Sequence, residues 1–107
     1  MERTMSETAT EQTDLLVNGR PIRYDTVPAP HMRGAVERYM EHGIPPGGFL
    51  TALLANDLIR AAGAADDING QLLKEWASWL YNCAPPASFG SREAVASWMQ
   101  QRQNGAA

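Results

Sequence analysis

Gly43-Ile44-Pro45-Pro46-Gly47-Gly48-Phe49-Leu50-Thr51-Ala52-Leu53-Leu54-Ala55-Asn56-Asp57 is the stretch around which the chain is organised. A glycine suited to closing one helix is followed by two prolines suited to opening another, because a first helical turn has no partner for the N–H that proline lacks. The helix so begun, from Pro45 or Pro46 to about Gly63, carries an apolar stripe of Leu50, Leu53, Leu54, Leu58 and Ala61 that Phe49 widens. Asn56 and Asp57 fall in its middle, with Asp57 inside the stripe by spacing, and are expected to be a structural polar pair of the core. A buried carboxylate needs a cation or several donors to remain ionised. The reading is that Asp57 accepts hydrogen bonds from the backbone of the 43–48 turn or the 84–90 loop and fixes its helix. The sharper alternative makes it an acid, a metal ligand or an anchor for a partner's arginine.

Toward the N-terminus, Met32, Val36, Tyr39 and Met40 recur at i, i+4, i+7 and i+8 and predict a helix from Ala29 to His42. His42 in its last turn and Gly43 just beyond are ordinary C-terminal signals. Before it, Leu15-Leu16-Val17 and Arg20-Pro21-Ile22 flank Asn18-Gly19, the dipeptide suited to a two-residue type I′ turn with positive φ at both positions. The register is Val17 opposite Arg20 and Leu16 opposite Pro21, the latter a non-hydrogen-bonded pair in which proline is compatible with an outer edge. A two-stranded ribbon is marginal alone and must lie on the helices or on another chain. Residues 1–13, polar and acidic, are expected to form a flexible tail.

Beyond the central run, Asp66 and Asp67 supply an N-cap for a third helix to about Asn82, with Ile68, Leu72, Trp76, Trp79, Leu80 and Cys83 on one face. Pro85-Pro86 stop it. Ser91 caps a fourth helix to about Gln101 with Val95, Trp98, Met99 and Phe89 inward, and 103–107 reads as a second flexible tail. The fold class is mainly α: a four-helix compact domain over residues 14–102 with a short N-terminal β-hairpin.

In a chain of 107 residues, 44% hydrophobic with three tryptophans, there is material for one modest core. Of the net charge of −3, residues 1–14 hold all of it, since Glu2, Glu7, Glu11 and Asp14 face Arg3 alone and the remainder balances eight acids with eight bases. A neutral body argues against a nucleic-acid footprint. A helix-turn-helix is disfavoured too, because its reading helix would begin with Asp66-Asp67, whose carboxylates would repel phosphates. The lone Cys83 allows neither an internal disulfide nor a Cys-rich metal site, which suits an intracellular, cytoplasmic protein. No apolar run approaches the roughly 18 residues of a membrane span.

Reactive groups are scattered. His31 and His42, on one helix, would stand about 16 Å apart and cannot share a metal. Cys83 follows a helix end instead of preceding a helix start that would activate it. Gly47-Gly48 could offer free amides to a phosphate, but no Walker-type residues follow; the blander reading is a tight entry where backbone packs against a tryptophan. No cofactor, metal or catalytic residue is assigned, and the chain is not read as an enzyme.

The run 43–57, with Ala65-Asp66-Asp67-Ile68-Asn69, Trp79-Leu80-Tyr81-Asn82, Gly90-Ser91-Arg92-Glu93 and Trp98, resembles a recurring type of short protein from bacterial phages and prophages over residues 32–100. Small proteins of that genomic kind include anti-CRISPR inhibitors, which bind Cas effectors or their guide complexes. The resembling residues themselves imply no activity; the likeness to such inhibitors is one of size and genomic kind and transfers no functional residue, and on that basis the expectation is a non-enzymatic protein that binds and blocks a bacterial defence complex. The expected partner surface lies at the hairpin edge, with Arg20, Arg23 and Tyr24 making contacts and Arg33 or Arg38 nearby, since arginine and large aromatics often carry interface energy. The alternatives are a self-associating structural helical domain, and a small-ligand binder or enzyme centred on Asp57.

Overall fold

The computed structural model describes residues 15–106. Strands β1 (Leu16–Val17) and β2 (Arg20–Pro21) pair antiparallel, Leu16 opposite Pro21 and Val17 opposite Arg20. Asn18 and Gly19 have φ of 54° and 78°, as a type I′ turn requires. Two single 3-10 turns, Tyr24–Thr26 and Pro30–Met32, lead into helix α1 (Arg33–His42). Then follow α2 (Gly48–Leu54), α3 (Leu58–Ala64), α4 (Asp67–Gln71), α5 (Leu73–Cys83), a 3-10 turn at Pro86–Ser88, and α6 (Arg92–Ala106). The mainly helical class with an N-terminal hairpin is what the sequence indicates, and the two middle helices are each divided in two.

The first division falls at Asn56-Asp57. Asn56 takes the left-handed conformation (φ 63°), in which a helix commonly ends, and the Asp57 N–H bonds back to the Ala52 carbonyl at 2.9 Å. Asp57 then caps α3 by accepting from the Arg60 N–H through its side chain at 3.2 Å. The redirected axis moves Leu58 out of the stripe to 62% exposure, while Ala61 is fully buried. The second division, at Leu72, is tied to a buried polar contact: Asn69 on α4 accepts from the indole N–H of Trp76 on α5 at 2.9 Å, and both side chains are buried. Ile68, expected inside, faces outward on α4.

One core is built on Trp76, Tyr39, Met40, Leu50 and Trp98, with Phe49–Trp76 and Trp76–Trp79 meeting edge-to-face at centroid distances of 5.9 and 6.4 Å. Each buried indole N–H has an acceptor, as an apolar interior demands. Trp76 donates to Asn69, Trp79 to Thr26 Oγ1 at 2.9 Å, and Trp98 to the Tyr39 carbonyl at 3.3 Å. The Tyr39 hydroxyl donates to the Ser88 carbonyl at 2.7 Å, tying α1 to the turn before α6.

Gly43 ends α1 at φ 70°, and a Cβ there would stand 2.5 Å from the Met99 carbonyl oxygen, so the α1–α6 contact also requires glycine. Ser91 caps α6 as expected, accepting from the Ala94 N–H at 3.0 Å. The helix continues past Gln101, where the sequence reading placed a tail from 103. The Gln103 side chain donates to the Gly43 carbonyl at 2.8 Å and helps hold that last turn. The acidic segment 1–13 lies outside the described residues.

Candidate functional site

Arg20 and Arg23 come together. Arg20 opens β2 directly after the I′ turn, Ile22 is buried and anchors the strand end, and Arg23 turns back toward solvent. The segment is fastened to α5 through Thr26, whose hydroxyl accepts from Trp79 and donates to the Arg23 carbonyl at 2.7 Å. Between this segment and α5 run two open troughs of about 460 Å³ each. Both are lined by Arg23, Asn82 and Cys83, so the two adjoin along these residues. Arg20 stands in the trough beside the hairpin, and Lys74 and Glu75 in the other. Arg20, Arg23 and Lys74 make no ion pair among the described residues.

The other expected contacts divide from these. Tyr24 is half-buried and its hydroxyl donates to Glu41 Oε2 at 2.7 Å. Burial pushes this phenol's pKa up, and the Glu41 hydrogen bond and charge add to the effect, so the group is a fixed internal donor. Arg33 donates to the Asp25 carbonyl at 3.4 Å, and the Arg38 guanidinium lies against Gly34 on its own helix. Neither arginine lines the trough. Lys74 was not expected there. With Ser78 and Asn82 it recurs every four residues, a polar stripe on the face of α5 turned from the tryptophans.

The polar pair Asn56-Asp57 is not in the core. Asn56 is exposed at the turn, and the Asp57 carboxylate, 29% exposed, faces Arg60 Nε at 3.3 Å and Arg92 at 3.6 Å. The donor to Asp57 is the next helical turn, not the 43–48 or 84–90 loops; the 84–90 loop instead reaches the α2 end through the Gly90 N–H, which donates to the Leu54 carbonyl at 2.7 Å. Asp57, Arg60 and Arg92 stand at a shallow, mostly apolar groove over the α2–α3 pair, floored by Gly48, Ala52 and Ala64. Gly48 there approaches Ala64 and not a tryptophan, while Gly47 takes φ 94° just before α2.

The histidines and cysteine lie in separate settings. His31 Nε2 meets Asp66 Oδ2 at 3.1 Å, His42 is exposed at the end of α1, and Cys83 lines the trough. The Asn69 N–H, first, and then His31 hold the Asp66 carboxyl below its usual range, while Asp66 caps α4. Among the described residues no three His, Cys, Asp or Glu side chains are grouped to hold a metal ion. Likewise no helix there is long and apolar enough to cross a membrane. Set against known proteins, the chain matches no family profile, no curated sequence and no solved structure.

Proposed function

We propose that the protein is a non-enzymatic binding protein that covers a surface of a partner protein with its hairpin side. By the size and genomic kind of the short phage proteins that residues 32–100 resemble, the partner is a bacterial defence complex such as a Cas effector. The protein would then be of phage or mobile-element origin and act in the host cytoplasm. The observation that supports a recognition surface at this place is the gathering of Arg20 and Arg23 on one open trough without carboxylate partners among the described residues. Guanidinium groups match carboxylates in two-point contacts. The test is target cleavage by purified Cas effector complexes with and without equimolar protein. Inhibition that the R20E/R23E double variant loses, with its circular dichroism unchanged, is the expected result. Wild-type protein that leaves every effector class uninhibited removes the defence reading.

A second reading, self-association, is favoured by large apolar side chains left in water: Leu58, Ile59 at 81% exposure, Ile68 and Tyr81 at 82%. Light scattering decides it, since a monomer at high concentration excludes this role.

A further inference from the structure

We infer that the trough between the hairpin segment and α5 receives an extended acidic peptide segment of a partner protein, with Lys74 acting as a third contact beside Arg20 and Arg23. This rests on the surface-binding reading and goes on to name the element bound. Lys74, Ser78 and Asn82 lie on one stripe of α5 and span about 12 Å at the helical rise. An extended chain covers that length with about four residues. Along it stand three bases and one acid, Glu75. Residues 15–107 balance eight acids with eight bases, so three bases against one acid make this depression a local positive excess that favours carboxylates electrostatically. The remaining lining suits a backbone: Asn82, its side-chain amide turned to the Ser78 carbonyl at 2.9 Å, offers further hydrogen bonding, and Trp79 and Pro28 give apolar contact between charges. An extended main chain exposes its own N–H and C=O groups to these polar side chains while its acidic side chains reach the rims.

The occupant is tested with a fluorescein-labelled peptide, acetyl-Glu-Asp-Glu-Glu-Asp-Glu-amide, titrated with the full chain and read by anisotropy. The all-amide counterpart Gln-Asn-Gln-Gln-Asn-Gln is the control. Binding of the acidic peptide alone is expected, weakened at least tenfold by R20E/R23E. K74Q is expected to weaken it roughly two- to fivefold, the scale of a partly exposed ion pair. Raising NaCl from about 50 to about 300 mM weakens it further by screening. Cys83 gives a second readout, because an occupied trough slows its reaction with a disulfide reagent. Equal binding of both peptides, indifference to K74Q, or preferential binding of a double-stranded DNA oligonucleotide overturns the inference. Loss of effector inhibition in R20E/R23E together with no binding of the acidic peptide retains the surface reading and sinks this one. Retained inhibition in R20E/R23E sinks the surface reading itself.

Discussion

Replacing Asp57 separates a helix cap from a functional carboxylate. Its Oδ1 takes the Arg60 N–H at 3.2 Å while Oδ2 faces two guanidinium groups at 3.3 and 3.6 Å. Loss of an Asp cap to alanine costs about 1 kcal/mol. The ion pairs add a few tenths, because both arginines are more than two-thirds exposed and solvent screens them. D57A is therefore expected to destabilise by about 1–1.5 kcal/mol, on the order of 4–8 °C in Tm. Asparagine is an equally good cap, so D57N should cost no more than about 0.3 kcal/mol, and that difference should vanish in molar salt. The assay is urea unfolding followed by tryptophan fluorescence, with an unchanged m-value showing that the unfolded state is not the cause. Asn56→Gly, which keeps the left-handed turn, should be near neutral, while Asn56→Ala should cost about 1 kcal/mol. D57N as damaging as D57A would show that charge, not capping, holds the α2–α3 break. A stable D57N protein that lost a measurable turnover would revive an enzyme at this groove.

Two further outcomes follow from the polar contacts. Asn69→Ala leaves the buried Trp76 indole N–H without its acceptor and should destabilise by about 2–4 kcal/mol, and by markedly less in a Trp76→Phe background; strict additivity in denaturant unfolding would contradict the pairing. Asp66, whose folded pKa is depressed, contributes stability that is present above its unfolded value near 3.9 and is lost as pH falls through the lower folded value. The stability gap between wild type and Asp66→Ala should thus be constant at neutral pH and narrow progressively as pH falls below about 4, and a gap that does not narrow in acid would refute it.

Local rules carried much of the fold. The hairpin register, the α1 stripe with its glycine stop, the Asp66 and Ser91 caps and the inward faces of Trp76, Trp79 and Trp98 are all set by short-range geometry: turn dihedrals, the 3.6-residue period and side chains that satisfy orphan amides. Asn56-Asp57 also carried its signal, a left-handed asparagine followed by a cap, but within an apolar stripe the same two residues read equally as a buried pair. Which reading wins depends on whether continuing the helix buries Leu58 or exposes it, and only the packing of α3 against α2 decides that. The trough is likewise tertiary. Arg23 and Lys74 lie far apart in sequence and share a wall because Trp79 bonds to Thr26 across it. Period and capping chemistry are properties of neighbouring residues, and they determined the elements. The meeting of charges from distant segments is fixed by the core beneath them, so only the folded structure could place it.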